Sequence, residues 1–354
     1  MISYQVIEHG KPLQKVMQET PKPKGTEVLV RLTRSGVCHS DLHIWDGYFD
    51  FGGGKRFYVK DRGCVPPFTL GHEPFGIVEE FGSSVSRIDK KLKVGQKKIV
   101  FPWIGCGKCA MCKDGEDNMC TAMRTIGVVR PGAYASHLLV PHPKYLVDAS
   151  GVDEAFAATL ACSGVTAYSA YCKLPKLSSR DSVAVIGCGG VGLATISVLK
   201  AMGLRNVIAC DVDEAKLAAA QSFGAKLALD TRAPDAVQKL QSLAKGSLGA
   251  VIDLVGMPAT AALGLATLRK GGRYVICGLY GGELVHPLPS IPLRALSIAG
   301  SYVGNLQELK EVVALAKKKK LKPMPLTTRP ADEVNAILQD LKAGKVLGRT
   351  VLAF

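Results

Sequence analysis

The sequence predicts an α/β protein with two domains, one rich in β-strands and the other built on a doubly wound parallel sheet. Its 354 residues exceed one ordinary domain, and an apolar fraction of 47% lets each of two domains bury a core. Glycine and proline recur at short intervals through residues 1–153, where few stretches are long enough for a helix. From about residue 154, apolar strands alternate with helices.

In the N-terminal part, residues 27–33 alternate polar and apolar side chains with a period of two, as a half-buried strand does. Residues 154–171 are small and apolar, which predicts a helix. The strands and helices that follow are predicted, in chain order, at residues 182–186, 190–202, 206–210, 214–223, 250–255, 259–268 and 273–277. This alternation is typical of a parallel sheet covered by helices on both faces. The pattern is mixed again after about residue 290, so we assign residues 154–290 to the parallel-sheet domain and residues 1–153 with 291–354 to the β-rich domain.

Composition and charge narrow the functional class. The chain has no apolar run near the roughly 18 residues of a membrane span, and its start does not resemble a signal peptide, so we expect a cytoplasmic protein. The formal charge is +15, and the basic residues cluster at 90–98 and at 317–320, the second of which follows a predicted helix at 306–316. Cations are favoured at a helix C-terminus, and no aromatic residues are interleaved as in a nucleic-acid patch. We therefore expect neither a nucleic acid nor a membrane as partner.

A glycine-rich turn joins the first strand of the parallel sheet to the next helix. Gly187, Gly189 and Gly192 have the spacing of a dinucleotide-binding fingerprint, and Gly190 and Val191 complete the turn. The first glycine permits the tight turn, the second lets the backbone approach a pyrophosphate, and the third lets helix and strand pack closely. A pyrophosphate would then lie at a helix N-terminus, which attracts anions.

The next strand ends in an acidic residue, Asp211, nineteen residues after Gly192. A carboxylate there can accept hydrogen bonds from the ribose hydroxyls and repel a 2′-phosphate, which predicts NAD rather than NADP as the cofactor. The alternative role for Asp211 is the N-cap of the following helix, for which Asp213 is better placed.

Four cysteines within fifteen residues, Cys106, Cys109, Cys112 and Cys120, predict a structural zinc site. Four thiolates complete a tetrahedron and leave no position for substrate. Disulfides are disfavoured in an intracellular chain with eleven cysteines. An iron–sulfur cluster has compatible ligand spacing and remains an alternative.

A second set of metal-ligand residues is more dispersed. Cys38 and His72 lie in separate runs of ligand-type side chains, and Cys162 lies in the predicted helix near the domain boundary. One histidine and two cysteines would form a zinc site with an open fourth position, as catalytic sites require. Taken singly, Cys162 could instead be a core residue, and His72 could form a surface pair with its neighbour Glu73.

In these motifs and in their order, the sequence resembles the zinc-containing medium-chain alcohol dehydrogenases, including bacterial NAD-dependent enzymes. The resemblance extends over nearly the whole chain. It implies a GroES-like catalytic domain, a Rossmann cofactor domain, two zinc ions and NAD, with an alcohol or aldehyde as substrate. It also implies residue roles.

The resemblance implies a catalytic zinc ion bound by Cys38, His72 and Cys162. Glu73 would be the carboxylate that approaches the metal during ligand exchange, and Asp41 would steady the His72 ring. Ser40 would hydrogen-bond the substrate oxygen, and His43 would pass its proton to solvent through the cofactor ribose. His39 and Arg349 would face the pyrophosphate.

One segment departs from the pattern of the family, and two tryptophans bear on the shape of the substrate pocket. Residues 48–64 look like an insertion, whose glycines and aromatics suggest a mobile hydrophobic lid; a surface elaboration is the alternative. The two tryptophans, Trp45 and Trp103, fall where the family lines its substrate cleft, which would favour slim primary alcohols. Core packing is the alternative for both.

Three other functions compete with the alcohol dehydrogenase. A zinc-free quinone reductase would lack the ligands of the second site, and a polyol or formaldehyde dehydrogenase would share all the motifs. A zinc-finger-like nucleic-acid binder would leave the glycine fingerprint without a role. We also expect a homo-oligomer, with a tetramer favoured over a dimer, because the apolar stretch 284–299 could extend a sheet across a two-fold axis.

Overall fold

The computed structural model describes residues 1–354, which form eighteen strands and twelve α-helices. The strands are β1 Ile2–Val6, β2 Gln14–Met17, β3 Val28–Gly36, β4 Tyr48–Gly52, β5 Lys55–Tyr58, β6 Phe68–Thr69, β7 Pro74–Phe81, β8 Lys97–Val100, β9 His137–Val140, β10 Leu146–Asp148, β11 Ser182–Ile186, β12 Val207–Asp211, β13 Leu227–Asp230, β14 Leu248–Asp253, β15 Arg273–Ile276, β16 Ser297–Gly300, β17 Leu326–Pro330 and β18 Arg349–Ala353. The α-helices are α1 His39–Asp46, α2 Val85–Ile88, α3 Ala110–Lys113, α4 Glu154–Thr159, α5 Val165–Cys172, α6 Gly190–Ala201, α7 Glu214–Phe223, α8 Ala236–Leu243, α9 Pro258–Thr267, α10 Ser290–Leu293, α11 Leu306–Lys317 and α12 Val334–Lys342.

The β-rich domain contains a seven-stranded sheet to which both ends of the chain contribute. Its order is β10-β8-β7-β3-β18-β17, with β9 also paired to β3. The C-terminal strand β18 is antiparallel to β3, and Val351 lies opposite Gly36. A smaller, three-stranded sheet has the order β2-β1-β6. The chain therefore leaves this domain and returns to it.

The second domain is a six-stranded parallel sheet of order β13-β12-β11-β14-β15-β16. The central strands β11 and β14 are buried along their whole length, as parallel strands covered on both faces are. The strand order reverses direction beside β11, which is the topological switch point where such sheets bind ligands. This fold confirms the predicted fold class.

The sixth strand of that sheet corrects one predicted boundary. Residues Ser297–Gly300 of β16 pair in parallel with β15, so the parallel sheet extends to Gly300, beyond the predicted limit at residue 290. The strand is short and alternates half-buried with exposed residues because it lies at the sheet edge, so it lacks the continuous apolar run of the inner strands.

The interior is continuous across the two domains. The largest core cluster has 55 buried residues and joins Val30 and Phe75 of the β-rich domain to Val185 and Leu193 of the parallel-sheet domain. A catalytic group on one domain can therefore be held at a fixed position relative to a cofactor on the other. None of the helices has the length and mean hydropathy that crossing a bilayer requires.

Candidate active site and metal centres

The first part of the site forms where β3 ends and α1 begins. Cys38 is the N-cap of α1, and its backbone N–H donates to the Asp41 carboxylate at 2.9 Å. This bond fixes the direction of the Cys38 side chain. Ser40 lies close by, with its Oγ 3.8 Å from the Cys38 Sγ.

His72 and Glu73 immediately precede β7, which is the strand next to β3. The Asp41 Oδ1 atom lies 2.9 Å from the Nδ1 atom of His72, and both side chains are buried. The other ring nitrogen, Nε2, has no hydrogen-bond partner although it is buried. Because buried polar atoms are normally paired, this nitrogen is free to bind a metal ion.

Cys162 reaches the site from an irregular turn. The predicted helix at 154–171 is present as α4 and α5, but a π-helical segment, Leu160–Gly164, interrupts it. Single π-helical turns occur frequently at functional sites because they redirect side chains. Here the Cys162 Sγ lies 3.9 Å from the Cys38 Sγ.

The structure thus brings the predicted ligands of the second site together. The ligand atoms of Cys38, His72, Glu73 and Cys162 all lie within 4.8 Å of one another, and all four residues are buried. A hydrogen bond with Cys162, together with the charges of Arg349 and His72, holds the pKa of the Cys38 thiol well below its usual range. Two thiols and an unpaired imidazole nitrogen are the soft and borderline donors that zinc prefers, so the residues present fit a zinc ion.

Glu73 is paired with the arginine predicted to face a pyrophosphate. The Oε1 atom of Glu73 lies 3.2 Å from Nη2 of Arg349, and both side chains are buried. Burial raises the pKa of Glu73 to about 7, although Arg349 opposes that shift. Gly36 makes room for this carboxylate, because a Cβ atom there would lie 1.7 Å from the Glu73 Oε2.

The two residues predicted to move a proton lie on α1. Ser40 and His43 are three positions apart and therefore on the same side of the helix. The His43 ring stacks on Phe49 with centroids 4.9 Å apart, and the His39 ring lies 6.0 Å away. Burial, with a smaller effect of His39, lowers the pKa of His43, so the ring is neutral and able to accept a proton near neutral pH.

The glycine turn has the geometry that a dinucleotide site needs. Gly187 has φ +90°, which only glycine adopts readily. A Cβ atom on Gly192 would lie 2.0 Å from the Gly187 carbonyl oxygen, whereas one on Gly189 would meet nothing within 4 Å. Arg349 reaches the same turn, since its Nε lies 3.5 Å from the Cβ position of Gly190. Val191 follows in the first turn of α6.

The structure distinguishes the two roles considered for Asp211. Asp213 is the N-cap of α7 and accepts hydrogen bonds from the N–H groups of Ala215 and Lys216. Asp211 ends β12, and its carboxylate accepts a 2.6 Å hydrogen bond from the Cys188 N–H of the glycine turn. Asp211 is therefore fixed beside that turn and is not the helix cap.

The four-cysteine lobe also forms a compact ligand set. The Sγ atoms of Cys106, Cys109, Cys112 and Cys120 lie within 4.8 Å of one another, and all four thiols are free. The Cys109–Cys112 sulfur separation of 3.5 Å is far longer than a disulfide bond of about 2.05 Å. This arrangement fits a zinc ion enclosed by four thiolates.

The two tryptophans have different positions. The Trp103 ring lies 5.3 Å from the His72 ring, beside the ligand set, and its Nε1 donates to the Ala161 carbonyl. Trp45 does not line this cleft, which corrects the prediction from the family. It is 3% exposed in a separate core cluster, and its Nε1 donates to the Lys11 carbonyl. Core packing is therefore its role.

The segment 48–64 is a two-stranded hairpin rather than an open loop. Strands β4 and β5 pair from Tyr48 opposite Tyr58, and a 3₁₀-helix, Val59–Arg62, follows. The hairpin tip contacts the cofactor-side loop after β15. A Cβ atom on Gly52 would lie 2.5 Å from the Glu283 side chain.

Two tyrosines near the site were not predicted. The buried Tyr134 donates its hydroxyl to the Asp41 Oδ2 at 2.8 Å. The Tyr302 ring lies 6.1 Å from the Trp103 ring. Neither lies in a metal-ligand or glycine motif, and only the tertiary fold brings them to the site.

Comparison with known proteins agrees with the fold and the site over the whole chain. A model of the alcohol dehydrogenase GroES-like domain matches residues 24–150, and one of zinc-binding dehydrogenases matches residues 190–318. The chain is 37% identical to an NAD-dependent alcohol dehydrogenase of Sulfurisphaera tokodaii and 35% identical to one of Saccharolobus solfataricus, over 99% of each chain. The structure of an alcohol dehydrogenase from the hyperthermophilic archaeon Aeropyrum pernix superposes with a TM-score of 0.90 at 32% identity, over 100% of both chains. That of the acetophenone reductase from Geotrichum candidum, in complex with NAD, has a TM-score of 0.85 at 30% identity and covers 100% of this chain and 97% of that one.

Proposed function

Because the chain belongs to the zinc-dependent medium-chain alcohol dehydrogenase family, we propose that it catalyses the reversible oxidation of primary or secondary alcohols to aldehydes or ketones with NAD. The observation that carries this proposal is the buried set of Cys38, His72 and Cys162, whose unpaired imidazole nitrogen fits a metal ion. Its neighbour Arg349 also reaches the glycine turn at which a dinucleotide binds. One side chain thus spans the metal site and the cofactor site.

The chemistry follows from the donor set and its surroundings. Cys38, His72 and Cys162 would hold a zinc ion, which would supply a Lewis acid that lowers the pKa of a bound hydroxyl group, and NAD would supply the hydride acceptor. Ser40, on the side of α1 that faces Cys38, accepts the hydroxyl proton of the substrate. His43, neutral near pH 7 because it is partly buried, takes the proton onward to the cofactor ribose and solvent.

The buried carboxylates position these groups. Asp41 orients the His72 ring so that Nε2 points into the site. Glu73 is held by Arg349 at the edge of the ligand set, from where its oxygen atoms can enter the metal coordination during ligand exchange. Arg349 and His39 bind the pyrophosphate, and Asp211 binds the ribose and favours NAD over NADP.

The four-cysteine lobe binds a second, structural zinc ion. Its closed set of four sulfur ligands leaves no place for substrate. The catalytic domain consists of residues 1–153 together with the C-terminal segment that follows β16. The cofactor domain lies between these two parts of the chain.

We also propose that the chain forms a homo-oligomer in the cytoplasm, with a tetramer favoured over a dimer. Strand β16 is an edge strand of the parallel sheet, so its backbone can pair with the same strand of a second copy. Beside it, Val285, Leu288 and Leu293 are 89%, 76% and 75% exposed, which is unusual for large apolar side chains. Light scattering tests this proposal, and a monomer at all concentrations would reject it.

A panel of primary, secondary, polyol and aldehyde substrates with NAD and NADP tests the proposed activity. Reduction of NAD by simple alcohols is the expected result. Activity restricted to polyols or to formaldehyde would replace the substrate class and leave the site assignment unchanged. Reduction of quinones without dependence on zinc would reject the proposal.

A further inference from the structure

The hairpin of β4 and β5 presents one aromatic face that begins at the proton-relay residue. Phe49 stacks on His43 with ring centroids 4.9 Å apart and pairs across the hairpin with Phe57. Phe57 in turn stacks on Phe51 with centroids 5.4 Å apart. These three rings form a continuous apolar surface that runs outward from the active site.

A cation lies on this face without an acidic partner. The Arg62 guanidinium is 4.9 Å from the centroid of the Phe57 ring and forms no ion pair in the chain. Its position is set by the short 3₁₀-helix that it ends. That helix is anchored on one side by Val59 and on the other by Cys64, which are 2% and 0% exposed.

Aromatic rings also extend outward from the metal side of the cleft. The Trp103 ring lies beside His72, and the Tyr302 ring lies 6.1 Å from the Trp103 ring. Burial raises the pKa of Tyr302, and the positive charge of Arg62 opposes that shift, so the two groups lie within electrostatic range of each other. Two ring contacts therefore connect His72 to Tyr302.

The geometry points to Arg62 as a substrate-binding residue, and we propose that the preferred substrates are alcohols and aldehydes with a flat apolar group that ends in an anionic group. The reacting oxygen would lie at the zinc ligands, the flat group among Trp103, Tyr302 and the phenylalanines, and the anion at Arg62. An exposed guanidinium with five N–H donors and no carboxylate partner is suited to form a bidentate pair of hydrogen bonds with such an anion.

This inference rests on the proposed alcohol dehydrogenase function, and paired substrates separate the two. We would measure kcat/KM with NAD for benzyl alcohol and for 4-(hydroxymethyl)benzoate, which differ in one carboxylate. The wild-type enzyme should prefer the carboxylated alcohol. Arg62→Gln should lower kcat/KM for that alcohol by about tenfold or more, as expected for loss of one charge-assisted hydrogen bond, and leave benzyl alcohol unchanged.

Arg56→Gln is the matched control, because Arg56 lies on the opposite face of the hairpin, 4.0 Å over the Tyr48 ring. It removes the same charge from the same hairpin and should leave both substrates unchanged. Equal wild-type values for the two alcohols, or equal effects of the two variants, would overturn the proposal.

A binding measurement keeps the test independent of turnover. Calorimetric titration of the holoenzyme with terephthalate should give about tenfold weaker binding for Arg62→Gln than for Arg56→Gln. The difference should shrink as the salt concentration rises, because exposed charges are screened. Arg62-dependent binding without alcohol oxidation would reject the proposed function alone. Identical affinities of the two variants would reject the role of Arg62.

Discussion

Replacing Asp41 with asparagine should weaken the binding of the zinc ion at the catalytic site. The Asp41 carboxylate is fully buried and accepts three hydrogen bonds, from His72 Nδ1, the Tyr134 hydroxyl and the Cys38 N–H. An amide has one oxygen and one NH₂ group in place of two acceptor oxygens. Whichever way the substituted side chain turns, its amide presents N–H to at least one of these donors.

The structure sets the size of the effect. Loss of these hydrogen bonds affects two metal ligands, because His72 and Cys38 are both held by the Asp41 carboxylate. Loss of such an orienting partner costs about 10- to 100-fold in metal affinity, or roughly 1.4–2.8 kcal/mol. Tyr134→Phe removes one donor and keeps the charge of Asp41, so we expect a smaller loss from that matched variant.

The assay is chelator competition followed by metal analysis of the recovered protein. We expect Asp41→Asn to lose one of its two zinc ions at a lower chelator concentration than the wild type, and Tyr134→Phe to lie between them. Cys38→Ser provides a reference that holds only the ion of the cysteine lobe. If Asp41→Asn retained both ions as firmly as the wild type, Asp41 would have no part in positioning His72.

Substitutions at four positions test the other assigned roles. His43→Gln should slow alcohol oxidation about 10²-fold near neutral pH, with a loss that shrinks as hydroxide becomes able to take the proton; parallel profiles of kcat against pH for variant and wild type would remove His43 from the relay. Because burial lowers the pKa of His43 and only the neutral ring accepts a proton, the wild-type rate should fall only at a pH below the usual pKa of histidine. Cys109→Ser should mainly lower the midpoint of thermal unfolding, whereas Cys38→Ser should mainly abolish activity, and reversed effects would exchange the two metal assignments. Asp211→Gly should narrow the preference for NAD over NADP in kcat/KM by removing repulsion of the 2′-phosphate; a wild-type enzyme that works better with NADP would contradict the role of Asp211.

The groups that could be predicted from the sequence are those whose chemistry is set locally. The glycine turn depends on a positive φ at Gly187 and on the close approach of Gly192, which a six-residue segment contains by itself. The four cysteines of the lobe are likewise close along the chain. The ligands Cys38, His72 and Cys162 come from three elements, and they were assigned from the resemblance to a family.

What the sequence could not predict depends on packing between distant segments. Trp45 lies on the same helix as Ser40 and His43, but on a side of it that packs against the core containing Ile337 of α12. The sequence alone does not show which side of α1 meets that helix. Tyr134 is more than 90 residues from its partner Asp41, and no motif connects them.

The requirement for a zinc ion at Cys38, His72 and Cys162 is tested most directly by the rate of alcohol-dependent NAD reduction, measured on the same samples as their zinc content. Zinc would be removed from the site of Cys38, His72 and Cys162 in steps by chelation and then restored. We expect the rate to fall in proportion to the loss of one zinc ion per chain and to return when zinc is added back. A rate that stays constant while that ion is removed would contradict this requirement.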